Sequence, residues 1–301
     1  MNAYNSYSRN NQEIENTNTV RLGLPKGRME KGVLSLLNGA GISVSATERT
    51  YRPRLSLDAF ETKTLKPHDI VEMLAIGSRD VGFAGADWVK ELNVELVELL
   101  DTGLDPVRLV AAAPSALLVD GKLPDRQLFL ASEYELISKE WIAKKQLKAT
   151  FVHSRGSTEV FPPEDADCII DNAASGATLK ANGLVVIDEI MRSSTRLFAN
   201  PRALENPVKR EEIERLVLLL RSVLDARERV MLELNVSAEN LEQVIAVLPC
   251  MREPTISSLH GEKAYALKAA VPKKSLTEVI PQIKQMGGTD IVVTAISQLI
   301  A

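Results

Sequence analysis

Apolar residues fall in short runs punctuated by Gly, Pro and charged turns. Between the runs lie stretches in which apolar positions recur every three or four residues. The run Val20-Arg21-Leu22-Gly23-Leu24 predicts a buried first strand. Past Pro25-Lys26-Gly27-Arg28, the spacing of Val33, Leu34, Leu36 and Leu37 predicts a helix that Gly39 and Gly41 stop. Strands are expected near 57–61, at 80–85, near 94–99 and at 107–112, with helices starting around Pro67 and Ala86. Pro67 suits a first helical turn, where its missing N–H is not needed. Residues 114–124, bounded by prolines, read as a crossing into a second lobe. There, strands at 128–132 and 149–153 flank a helix around Ile137, Trp141 and Ile142. An apolar run carrying Asp167 and Asp171 leads through small residues into another amphipathic helix, and strands at 185–190 and 196–198 return toward the first lobe. A chain that leaves one lobe and comes back predicts an α/β fold with a hinged cleft between two lobes.

Residues 207–229 read as one long helix. Ile213, Leu216, Val217, Leu220, Val223 and Leu224 form a stripe on it suited to core or subunit packing. A separate pattern follows: strand 230–236, helix 241–248, strands near 255–259 and 264–270, helix 276–286, strand 291–295. The order βαββαβ is that of a ferredoxin-like domain. The expected division is a discontinuous first lobe (20–113 and 195–229), a second lobe (114–194) and a C-terminal domain (230–301), since 301 residues exceed what one core usually serves.

Composition narrows the picture in a few places. Residues 1–19 are Asn-rich and polar, without the apolar centre of a signal peptide, and read as a disordered leader. No apolar run has membrane-spanning length, so a cytoplasmic protein is expected. Cys168 and Cys250 stand far apart beside apolar neighbours and read as buried free thiols. A net charge of −4 carries no nucleic-acid signature, so any site for polyanions must concentrate positive charge locally.

The candidate chemistry centres on Ser175-Gly176-Ala177-Thr178. Gly176 lets a backbone approach a ligand closely, consecutive N–H groups at a helix start form an anion pocket, and the two hydroxyls add donors. Plain helix capping by Ser175 explains the same residues. Asp167 and Asp171, just upstream, can hold hydroxyls or a metal. Phosphate beside acids is what a sugar phosphate such as phosphoribosyl pyrophosphate (PRPP) requires. Lys26 and Arg28 follow a strand's carboxyl end, where open α/β sheets bind ligands; a solvated basic turn is the alternative. Arg49, Arg52 and Arg54 around Tyr51 form either a phosphate-facing patch or a solvated hairpin. Tyr134 is a candidate to stack on an adenine, and a core or interface tyrosine fits equally. His68, His153 and His260 lack zinc spacing and read as ordinary histidines. P-loop, dinucleotide-fingerprint and serine-elbow motifs are absent from the sequence.

One resemblance runs from about Val20 to the end. Gly156-Ser157-Thr158-Glu159-Val160, residues 167–179 and Lys180-Ala181-Asn182-Gly183-Leu184 resemble the signature of the ATP phosphoribosyltransferase family. Leu24-Pro25-Lys26-Gly27-Arg28 is similar to its opening segment, and residues 248–257 to the regulatory domain of its long form. The sequence departs from the family at Asn172-Ala173-Ala174, where an aliphatic pair and a polar or acidic residue are usual, and at Lys66, where Arg is usual. The resemblance implies a periplasmic-binding-protein-like catalytic part. In it, N1 of ATP attacks C1 of PRPP with inversion and pyrophosphate leaves with magnesium bound. It implies that Ser175, Gly176, Ala177 and Thr178 hold the 5′-phosphate and that Asp167 and Asp171 contact ribose or, for Asp171, Mg2+. Lys26, Arg28, Arg49 and Lys66 then face phosphates, Glu159 supports a basic partner or the ribose, and Arg49 and Tyr134 serve ATP. Asn235 and Thr255 match positions near a pocket for histidine, the feedback inhibitor. A homo-oligomer, dimer and hexamer, is implied, with neither nucleic acid nor membrane as partner. A non-catalytic two-lobed sensor of small anions is the alternative of another class.

Overall fold

The computed structural model describes residues 18–45, 51–261 and 263–300. The expected leader, up to residue 17, and Arg49 lie outside the described residues. The chain forms two compact units, one of residues up to 35 with 43–215, the other of residues 36–42 with 216 onward.

The first unit is built from β1 (Val20–Pro25), α1 (Glu30–Gly39), β2 (Val44–Ser45), β3 (Arg54–Leu55), β4 (Phe60–Leu65), α2 (Pro67–Ala75), β5 (Val81–Gly85), α3 (Ala86–Glu91) and β6 (Val97–Pro114). β7 (Leu128–Ser132), α4 (Glu135–Lys145), β8 (Ala149–His153), β9 (Cys168–Ala173), α5 (Ala177–Ala181) and β10 (Leu184–Ala199) follow, and α6 (Pro207–Arg227) passes into the second unit at Leu216. Eight strands make one sheet in the order β4-β1-β5-β10-β6-β9-β7-β8. Its two ends are the two lobes. β4, β1 and β5 are parallel to one another, as are β9, β7 and β8. Between them, β10 runs antiparallel to β5 and to β6, and β6 antiparallel to β9. Helices cover both faces, which is why β5 is buried at every residue and reads as an unbroken apolar run.

Two pairs of expected strands are single long ones. The segments near 94–99 and at 107–112 belong to β6, and those at 185–190 and 196–198 to β10. The pairing of β10 with β6 carries register shifts at Val186/Asp188, Glu189/Met191 and Ser193/Thr195, and each shift breaks the two-residue alternation that marks a strand. The strand expected near 57–61 lies later, as β4, after the short β3.

A buried ionic knot fixes the first lobe. Arg21 donates to Asp80 from its backbone N–H and its guanidinium, and the Lys209 ammonium donates to the same carboxylate at 3.1 Å. Burial alone would raise the Asp80 carboxyl, but the Arg21 hydrogen bonds and the Arg21 and Lys209 charges hold it below its ordinary value. Removing one partner would leave an uncompensated buried charge, at a cost of about 3–5 kcal/mol.

In the second unit, β11 (Arg229–Ser237), α7 (Leu241–Val247), β12 (Thr255–Ser258), β13 (Ala264–Pro272), α8 (Leu276–Gln285) and β14 (Thr289–Ala295) give the βαββαβ order, with the sheet arranged β12-β13-β11-β14. β11 alternates strictly: Val230, Leu232, Leu234 and Val236 enter a core with Val244, Leu267, Val271, Val279 and Ile283. The sequence pattern starts this unit at Val230, whereas the packing adds residues 36–42 and the helix from Leu216, where the Val223 side chain lies against Gly39.

Candidate active site

The two sets of parallel strands run in opposite senses, so their carboxyl ends meet near the middle of β6 and β10, and the candidate residues stand on those ends. In the first lobe Lys26 follows β1, Lys66 follows β4, and Asp87 and Trp88 follow β5. In the second, Glu133 follows β7, Ser154 and Arg155 follow β8, and Ala174 and Ser175 follow β9. Open α/β sheets bind ligands in such crevices.

At the end of β9 the chain turns through Gly176, whose φ of +75° favours glycine, into α5, which begins at Ala177. An added Cβ at Gly176 would meet no atom within 4 Å, so backbone conformation, not crowding, calls for glycine. Ser175 Oγ accepts from the Ala177 N–H at 3.3 Å. A 120 Å³ cavity is lined here by Glu159, Asp171, Asn172, Ser175, Gly176 and Thr178, so five of the expected site residues share one small space. Burial pushes the Asp171 carboxyl up to about 6; the Glu159 and Glu133 carboxylates add to the rise, while the Asn172 N–H and the Arg28 charge oppose it. Arg28 thus acts on Asp171 from the other lobe, after the turn that Gly27 makes at a φ of +83°. Lys26 holds its ammonium 5.6 Å from the centre of the Tyr51 ring.

A larger cavity of 460 Å³ is walled by Lys66, His68, Asp69 and Trp88 from the first lobe and by Glu133, His153, Ser154 and Arg155 from the second. His68 sits between Asp69 and Glu72, at 3.4 and 3.6 Å, and its ring meets Trp88 edge-on at 5.0 Å. Among the described residues, the grouping of potential metal ligands that comes within 4.8 Å is His68, Asp69 and Glu72, and Asp171 is not part of it.

Two expected site residues are corrected by their surroundings. Tyr134 is buried, stacked on Trp88 at 4.6 Å, with its hydroxyl donating to Asp87 at 2.7 Å, so its ring has no free face for an adenine. Asp167 precedes β9 and is held by Arg126 and by the Phe129 N–H, each at 2.7 Å. Four residues of strand, about 13 Å, separate it from Asp171, so it cannot join the loop. In the second unit, Thr255 is paired with Lys268 and Lys268 with Glu233, which puts Thr255 and Asn235 on the same sheet face, away from the core; Asn235 donates to Asp290 at 2.9 Å. Glu133 and Arg155 escape the sequence reading, and so does the placing of His68 and His153 in a cavity wall; Asp87 and Trp88 enter it only as a helix start that resembles the family's segment beside the nucleotide. Their signal was positional: most directly follow strands whose carboxyl ends converge.

Fold and cavities together define a two-lobed α/β protein with a small β/α domain at its C-terminus. Residues 66–222 match the family model described as ATP phosphoribosyltransferase, and residues 226–298 match the HisG C-terminal domain. The ATP phosphoribosyltransferase of Chlorobium luteolum is 34% identical over 293 residues, covering 95% of this chain and all of that one. That of Solibacter usitatus is 32% identical over 292 residues, covering 93% and 99%. The solved ATP phosphoribosyl transferase (HisG:HisZ) complex from Thermotoga maritima superposes with a TM-score of 0.61 at 25% identity, covering 69% of this chain and 99% of that chain. The chain belongs to the ATP phosphoribosyltransferase family, in the long form with a regulatory C-terminal domain. Its reaction is a pentosyl transfer from PRPP to ATP, the first step of histidine biosynthesis.

Proposed function

We propose that residues 175–178 hold the 5′-phosphate of PRPP, that Asp171 contacts the ribose, and that Lys26, Arg28 and Lys66 neutralise the departing pyrophosphate. The observation that carries this reading is the single small cavity shared by Glu159, Asp171 and the loop, with Arg28 acting on Asp171 from the opposite lobe. The larger cavity, with Lys66, Arg155 and Trp88 in its wall, takes ATP. N1 of adenine is already a nucleophile, so its attack on C1 needs no strong base. The acceleration comes from aligning two polyanions and from charge placed in advance where pyrophosphate develops. Glu159, beside Asp171, supports the ribose.

Magnesium fits this donor set in one way. Asp171 offers a hard oxygen ligand, but the described residues gather no chelating group around it, so Asp171 would hold the ion only in company with substrate phosphates. When bound, it offsets the charge of the leaving pyrophosphate. Pyrophosphate release should require ATP, PRPP and magnesium together; release without PRPP, or binding with no release, overturns the reading in favour of a sensor.

Histidine, sensed by the C-terminal domain, inhibits turnover, with Asn235 and Thr255 at its pocket. Thr255→Ala should shift the histidine titration to higher concentration and leave uninhibited turnover within twofold; an unchanged titration removes Thr255 from the pocket. The working form is a cytoplasmic homo-oligomer, a dimer in one state and a hexamer in another, which sedimentation with and without histidine tests.

A further inference from the structure

The departure at Asn172 has a counterpart in the core. Asp171 and Asn172 both line the loop cavity, but β9 alternates, and the Asn172 side chain reaches Tyr134 on the other side of the sheet from Asp171. The Asn172 amide donates to Asp87 at 3.2 Å and also to the Tyr134 hydroxyl. Tyr134 donates to the same Asp87 oxygen at 2.7 Å, and Ser193 donates to the other at 2.7 Å. Ser193 also accepts from the Asp87 N–H at 3.2 Å, so the carboxylate and its own backbone are both held. Asp87, Tyr134 and Ser193 are all buried. Gly85 leaves the space for this cluster, because a Cβ there would collide with the Asp87 carboxylate.

The cluster crosses the molecule. Asp87 belongs to the first lobe, Tyr134 and Asn172 to the second, and Ser193 to β10, one of the two long strands that join them. Asn172 is also one residue from the site: its backbone N–H donates to Asp171 Oδ1 at 2.7 Å, and the loop of Ala174, Ser175 and Gly176 follows directly. One residue therefore holds the inter-lobe cluster with its side chain and the site carboxylate with its backbone. The amide works from one end only, since Asn172 Oδ1 is buried without a partner. Donation to the Asp87–Tyr134 pair is what the residue supplies, and an isosteric carboxylate would instead set a second negative charge against Asp87.

We infer that Asn172 is a positioning residue that anchors the PRPP loop to the buried Asp87–Tyr134–Ser193 cluster, so that PRPP affinity in this chain depends on the hydrogen bonds its side-chain amide donates. The inference rests on the assignment of PRPP to residues 171–178. Asn172→Leu keeps the volume and removes the donor; Tyr134→Phe removes the hydroxyl that receives it.

The test is calorimetric titration of PRPP, with magnesium, and separately of ATP, into the full chain. Asn172→Leu is expected to weaken PRPP fivefold or more and ATP by less than twofold, with kcat at saturating PRPP retained. Asn172→Asp should weaken PRPP further. Tyr134→Phe should act in the same direction as Asn172→Leu, and the double variant should be no worse than the poorer single one, because one linkage is lost in each case. If Asn172→Leu does not fold, Asn172→Ser and Tyr134→Phe carry the same comparison. An Asn172→Leu protein that binds PRPP within twofold of the parent overturns the inference alone. Equal weakening of both substrates overturns it in favour of general loosening. A parent that binds no PRPP overturns the site assignment and this inference with it.

Discussion

Asp167 and Asp171 stand at the two ends of one short strand and have opposite fates. Asp167 is a structural anchor. Its carboxylate accepts from Arg126 and from the Phe129 N–H, tying the start of β9 to the neighbouring β7. Asp171 accepts from one adjacent N–H, is otherwise crowded by acids, and has its proton affinity raised by burial. A carboxylate with good partners contributes stability; one deprived of partners is available to a ligand. The comparison teaches that the useful acid is the unsatisfied one, and that parallel strands place it where their carboxyl ends converge.

The most damaging change should be at the loop itself. Gly176→Val puts a β-branched side chain at a φ of +75°, where few such residues are tolerated, and PRPP binding should disappear while the melting profile stays cooperative. Normal binding by calorimetry would move the phosphate elsewhere. The two acids should then separate cleanly. Asp171→Asn should lower kcat/KM about 100-fold, the scale for loss of one preorganised electrostatic group. Asp167→Asn should leave kcat/KM within about twofold and lower unfolding free energy by about 1.5–3 kcal/mol, as for a hydrogen-bonded charge. Similar kinetic losses in both variants would erase the distinction drawn here.

On the facing lobe, Lys66→Ala should lose roughly 1.5–3 kcal/mol of transition-state binding, the scale for a hydrogen bond to a charged group, while Lys66→Arg stays active. Unchanged kinetics in the Ala variant would return Lys66 to the solvated surface.

The smallest effect is on stability against pH. Because Asp171 sits at about 6 in the fold against an ordinary 3.8, the native chain binds more protons than the unfolded one between those values. Its contribution to stability therefore falls as pH rises through that window. Asp80 has the opposite sign: its carboxyl lies below the ordinary value, so its contribution is present above that value and is lost in acid. Denaturant titrations of the parent and Asp171→Asn from pH 4 to pH 7 should show the parent losing stability relative to the variant as pH rises, because the variant lacks the carboxyl whose ionisation the fold disfavours. A constant difference would mean that Asp171 is not perturbed.

What could be read from the chain alone was what neighbouring residues encode together. The alternation of β11, the small-residue loop after β9 and the βαββαβ order are all properties of consecutive residues, and the structure contains each of them. Long strands with register shifts were cut in two, because a bulge removes the very alternation by which a strand is read. The environment of a single side chain was beyond reach in principle. Tyr134 meets Asp87 across 47 positions, Asn172 meets Asp87 across 85, and Arg126 meets Asp167 across 41. A phenol is a nucleotide platform or a core residue, and a carboxylate is a ligand or an anchor, according to which distant groups the tertiary fold brings within hydrogen-bonding distance.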